Sequence, residues 1–141
     1  MAKDELNDEI YTQITALTQS GDALFDDEKD REALSKYFQA ITLLPEPVHQ
    51  WEAATWIFTA IGDVLWVMRE YQDAYSAFQD VLHCPGGIGN PFVHLRVGQL
   101  DFEFGNRSKA TDELMRAYMG GGEEIFARED PKYFALIKHL I

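Results

Sequence analysis

Glycine returns at one register of this chain. Gly21, Gly62 and Gly98 are each followed after 12 residues by alanine (Ala33, Ala74, Ala110) and after 16 by a large side chain (Tyr37, Phe78, Leu114). After 19 comes a smaller apolar residue (Ala40, Val81, Ala117). The steps are 41 residues, from 21 to 62, and 36 residues, from 62 to 98. Small–small–large at fixed offsets is what two closely packed helices demand: the small residues let the backbones approach and the large one fills the gap. The central copy, residues 55–85, reads as two amphipathic helices joined by a tight turn at Arg69-Glu70. Its small residues are Gly62, Ala74 and Ala77, surrounded by Phe58, Ile61, Leu65, Tyr71 and Phe78. Periods of this length, built of helix–turn–helix units, mark an α-solenoid.

The rest of the chain supports an all-α fold. Leu6, Ile10, Ile14, Leu17 and Leu24 share one face of a helix over 1–27. Asp4, Glu5, Asp8 and Glu9 complement the positive end of its dipole. The charged run 26–32 reads as a turn with Asp30 as the next N-cap. A helix over 31–43 follows, with Leu34, Tyr37, Phe38, Ile41 and Leu44 apolar, stopped by Pro45 and Pro47. Residues 49–68 are apolar nearly all round, which predicts a helix buried between others. A fourth helix is expected over 70–82, then a loop over 84–91, then a fifth helix capped by Asn90 with Pro91 at its first position. Gly105-Asn106 predicts a turn, 107–119 a sixth helix stopped by Gly120-Gly121-Gly122, 123–128 a short helix, and Asp130-Pro131 the start of a last one over 132–140. No stretch alternates as a strand would.

The three units resemble the tetratricopeptide repeat family. Its pattern is matched by Leu17, Gly21, Leu24, Ala33, Tyr37, Ala40 and Pro45 in the first unit. The second matches through Phe58, Ile61, Gly62, Leu65, Tyr71, Ala74 and Phe78, with Pro85 close to place, and the third through Val97, Gly98, Gly105-Asn106, Ala110 and Ala117. The units exceed the family's usual length, Ser20 stands where a large residue is usual, and His94 and Asp101 stand where apolar residues are. The resemblance implies a single domain over 1–141 with units at about 4–45, 50–85 and 91–122 and a C-terminal cap over 123–141. It also implies a groove lined by the first helix of each unit. Its residues would be Thr15, Thr18, Asp22, Phe25 and Asp26; then Trp56, Thr59, Asp63, Trp66 and Val67; then Phe92, Leu95, Gln99, Phe102 and Glu103. That lining is aromatic and acidic. Aromatic anchors dominate binding energy, and carboxylates among them select a cationic partner. Two readings of Trp56, Trp66 and Phe102 stay open: anchors for a partner, or core covered by the chain's own terminal helix.

Charge narrows the partner. With 12 basic and 24 acidic residues the net charge is −12, the wrong sign for nucleic acid or an anionic membrane and the right one for a basic protein. The family's carboxylate clamp of Lys, Asn and Arg is not matched, since Asp22, Asp63 and Gln99 hold the Asn-type positions and Thr18, Thr59 and Leu95 those of the clamp Lys. Arg96 is the one groove-side cation, expected to pair with Glu103 or Asp63. Catalysis has little to stand on: His83-Cys84 and His94 could form a thiolate and a base, but nothing in the sequence orients them. His49, His83, His94 and His139 lack metal-ligand spacing, and Gly120-Gly-Gly-Glu-Glu lacks the Lys of a phosphate loop. The chain is therefore expected to be a non-enzyme without cofactor or metal, monomeric or weakly dimeric. The single Cys84 excludes an internal disulfide, and the opening MAKDELNDEI has no secretory signature, so a cytoplasmic location is expected.

The ending AYMGGGEEIFAREDPKYFALIKHL is similar to that of small bacterial repeat proteins encoded beside polymorphic toxins. That resemblance implies an immunity protein masking a basic toxin domain. The alternative is a scaffold or secretion chaperone holding a helix or extended segment in the groove.

Overall fold

A computed structural model describes residues 6–141. It consists of helices α1 (Asp8–Asp26), α2 (Asp30–Thr42), α3 (Glu52–Val67), α4 (Tyr71–Leu82), α5 (Pro91–Glu103), α6 (Arg107–Gly121) and α7 (Pro131–Ile137). Single 3-10 turns lie at Val48–Gln50, Glu123–Phe126 and Lys138–Leu140, and there is no strand among the described residues. The chain packs as two compact units, 1–86 and 87–141. The first holds the pairs α1/α2 and α3/α4; the second holds α5/α6 and the C-terminal segment.

The repeating register is a packing register. A Cβ on Gly21 would sit 2.7 Å from the Tyr37 ring, one on Gly62 2.7 Å from the Phe78 ring, and one on Gly98 2.8 Å from Leu114. Ala33, Ala74 and Ala110 are fully buried in the second helices, as are Ala40, Val81 and Ala117. Each large residue thus lies over a bare stretch of the preceding helix, and no side chain bigger than hydrogen fits beneath it.

The turns repeat as well. Seven residues after each of these glycines the backbone enters the left-handed region, at Glu28 (φ 61°), Arg69 (φ 65°) and Gly105 (φ 84°). The next N–H closes the motif, Lys29 to the Leu24 carbonyl at 2.8 Å, Glu70 to Leu65 at 2.9 Å and Asn106 to Asp101 at 2.8 Å. These are Schellman closures, which satisfy carbonyls the helix end would otherwise strand. Only the third copy uses glycine there. Arg69→Gly should therefore raise stability by about 0.5–1 kcal/mol, the relief of a left-handed side chain less the extra freedom glycine gives the unfolded chain. Urea denaturation checks this, and an unchanged or lower midpoint refutes it.

Capping departs from the sequence in two places. Asn7 caps α1, accepting from the Glu9 N–H at 2.8 Å, so that helix starts at Asp8; Asp4 and Glu5 lie outside the described residues. Asp30 is the first residue of α2 rather than its cap, where its charge still meets the helix dipole. Asn90 caps α5, with Pro91 first in the helix, as expected.

The enclosed helix is α5, not α3. Every residue from Val93 to Asp101 is buried, including His94, Arg96, Gln99 and Asp101. The more apolar α3 leaves Trp56 and Val67 40% and 52% exposed. Phe38, one of the apolar residues of α2, is also half exposed. Hydropathy misjudged both helices because His94, Arg96 and Gln99 of α5 find partners inside their own unit.

Candidate protein-interaction surface

In the second unit the C-terminal segment lies over the first-helix residues. Arg96 donates to the Gln99 side-chain oxygen at 2.8 Å and to Glu129 Oε1 at 2.9 Å. Gln99 donates to the same Glu129 oxygen at 2.7 Å. One turn on, Glu103 Oε2 accepts from the Tyr133 hydroxyl at 2.7 Å and faces Lys132 Nζ at 2.9 Å. The Tyr133 ring meets Phe102 edge-on, with centroids 5.3 Å apart, and the Arg96 guanidinium lies 4.7 Å from the centre of the Phe92 ring. Glu129 and Gln99 are thus partners of Arg96 that the sequence did not name. The reason is reach: the α6–α7 connection carries Glu129 back over the helix, a placement no local spacing encodes. Burial pushes the Glu103 carboxyl upward, but the hydrogen bonds from Tyr133 and Lys132 outweigh it and hold the group below its ordinary value. So Phe92, Gln99, Phe102 and Glu103 are engaged by their own unit. Gln99, with no exposed surface, offers nothing to a partner in this state.

In the first unit the corresponding residues of α1 and α3 range from buried to exposed. On α1, Thr18 is buried and donates to the Thr15 carbonyl at 3.1 Å, Phe25 is half-buried, and Asp22 and Asp26 are exposed. On α3, Thr59 donates to the Thr55 carbonyl at 2.7 Å, Asp63 is half-buried, and the Trp66 ring packs on Tyr71 with centroids 5.1 Å apart. Trp56 and Val67 stand in solvent. Asp22 accepts from the Tyr37 hydroxyl at 2.5 Å. That phenol is held above its usual pKa, first by burial, then by this bond, then by the charges of Asp22, Asp26 and Asp63. The three carboxylates therefore share one neighbourhood, at the buried Tyr37 of α2. Sequence reasoning could not tell which of these residues are engaged within their own unit.

The residues considered for catalysis are each committed elsewhere. His94 bonds Glu113 through Nδ1 at 2.6 Å and accepts the Gly89 N–H through Nε2 at 2.9 Å, so it ties the interhelix loop to its unit. His83 Nδ1 contacts the Gln79 carbonyl at 2.8 Å. The buried Cys84 donates to the Asp80 carbonyl, and burial, with the Asp80 charge, pushes its thiol up to about 11, the opposite of an activated nucleophile. Among the described residues no His, Cys, Asp and Glu gather as a metal site would require, and no helix is long and apolar enough to cross a membrane.

No protein-family model matches the chain, and no curated protein matches its sequence. Solved structures do. The Yersinia enterocolitica type III secretion chaperone SycD, in complex with a peptide of the translocator YopD, superposes with a TM-score of 0.72 at 12% identity, over 95% of this chain and 96% of that one. The C-terminal TPR-containing domain of a Plasmodium falciparum FK506-binding protein superposes with a TM-score of 0.78 at 16% identity, over 97% and 94%. The fold is that of antiparallel tetratricopeptide-type helical repeats with a C-terminal capping helix.

Proposed function

We propose that this protein is a non-enzymatic interaction module, a scaffold or secretion-type chaperone that takes a basic peptide or helix on the α1/α3 face of its first unit. The observation that carries this reading is exposed Trp56 on a face that also bears Asp22, Asp26 and Asp63. A large aromatic left in water is the residue type that anchors partners, and neighbouring carboxylates steer a cation to it. The peptide bound to SycD, a protein of the same fold, supports a segment rather than a folded domain as the occupant. Neutralisation of a basic toxin domain is the second reading; it draws on the same acidity and on the C-terminal resemblance.

A partner recovered from the native host and measured by calorimetry supplies the test. Trp56→Ala should weaken it at least ~10-fold, and Asp22→Lys with Asp63→Lys should weaken it and flatten its salt dependence. A short segment of the partner should bind as well as the whole. If only a folded domain binds and its enzymatic activity stops, the toxin-neutralising reading replaces the chaperone one. Unchanged affinity in both variants removes this face from consideration.

A further inference from the structure

A second surface lies on the other side of α3. At 100° per residue, Trp56, Thr59, Asp63 and Val67 fall on one side of the helix, and Phe58, Ile61, Leu65 and Met68 on the opposite one. That opposite side floors a cleft of about 460 Å³ between α2 and α4, walled by Leu34 and Phe38. The adjoining surface of α2 is open, and Arg31, Leu34 and Phe38 border both it and the cleft. Phe38 is thus a half-exposed aromatic ridge at the edge of the cleft. The α4 wall is acidic, with Glu70, Asp73 and Asp80 against the one cation Arg31. His49 fixes the far end, stacked on Phe58 at 5.5 Å and bonded to Asp80 at 2.9 Å.

We infer that this cleft is a second protein-docking site, whose occupant is a short amphipathic segment with large apolar side chains beside Lys or Arg. The apolar side chains enter the cleft beside Phe38, and the cations lie over Glu70 and Asp73. Charge selects this occupant over a second copy, since two chains of net charge −12 would bring the acidic walls together. The site is independent of the α1/α3 face and stands if that reading fails.

The probe is a labelled peptide of Leu-Leu-Lys-Lys blocks, with a Leu-Leu-Glu-Glu counterpart, followed by anisotropy and by amide shifts of the full chain. The lysine peptide should bind and move the amides of Phe38, Phe58 and Asp73, and the glutamate peptide should not bind. Phe38→Asp should weaken binding at least ~10-fold although it adds negative charge, which separates docking from bulk attraction. Glu70→Lys with Asp73→Lys should weaken it several-fold, and the shifts at Phe38, Phe58 and Asp73 should persist in Trp56→Ala, whatever that variant does to binding on the other face. Thermal melts confirm that each variant folds; Phe38 is exposed enough for its loss to be borne, and Phe38→Ser serves if the aspartate variant does not fold. Binding that survives both Phe38 variants, shifts confined to α1 and the Trp56 side of α3, or no binding of the lysine peptide overturns the inference.

Discussion

Gly62→Ala should destabilise the protein by about 1–2 kcal/mol, although alanine in a helix interior is normally worth about 1 kcal/mol over glycine. The added Cβ would lie 2.7–3.0 Å from three atoms of the Phe78 ring. Phe78 has no exposed surface, so the ring has nowhere to go. Gly62→Val, larger and β-branched, should cost more than about 3 kcal/mol. The mechanism has a signature that a propensity effect lacks. Phe78→Leu opens space, so Gly62→Ala with Phe78→Leu should cost less than the sum of the singles by about 1–2 kcal/mol in a urea double-mutant cycle. At Gly98 the relief should be smaller, because the Leu114 backbone nitrogen, 3.1 Å away, stays when its side chain is trimmed. Additive singles at 62 and 78 would disprove the packing account.

Glu129→Ala should cost about 3 kcal/mol, because it removes the shared acceptor of Arg96 and Gln99 while leaving both side chains buried. Glu129→Gln keeps an oxygen acceptor and should cost less than half as much. Replacing the cluster together, as Arg96→Met, Gln99→Leu and Glu129→Leu, should recover most of the loss, since an apolar triad needs no desolvation of charge. A triple variant as unstable as Glu129→Ala would show that the ions themselves hold the C-terminal segment in place.

Acid should act on α5 with opposite signs at two positions. Glu103 is held below its ordinary pKa, so its contribution is complete above the unfolded value of about 4.3 and fades as pH falls through the folded one. Glu103→Gln should lower the melting temperature at neutral pH, and the deficit should shrink in acid. Asp101 is held above its ordinary value, first by burial and then by the charge of Glu113, so its ionisation opposes folding. Asp101→Asn should raise the melting temperature at neutral pH, with the gain vanishing as the native carboxyl protonates. Melting curves from neutral to acid pH read both, and same-sign changes would contradict the geometry.

The sequence by itself determined the contacts and turns within a helix pair, though not the cap of α2. Gly21, Gly62 and Gly98 meet their partners at one offset of 16 residues because each helix and turn has fixed geometry, so periodicity carries the contact. Asn90 as cap and the turns at Arg69 and Gly105 were readable for the same reason: a cap or turn is satisfied by neighbours a few residues away. Only the tertiary structure decided which surfaces stay open. Arg96 and Gln99 look like groove residues until Glu129, 33 and 30 residues on, closes over them. Trp56, open to two readings in the sequence, and Phe38, one of the apolar residues of α2, both stand exposed among the described residues. An apolar residue's burial depends on what the chain places over it, and that choice is made by contacts whose sequence separation no helical period records.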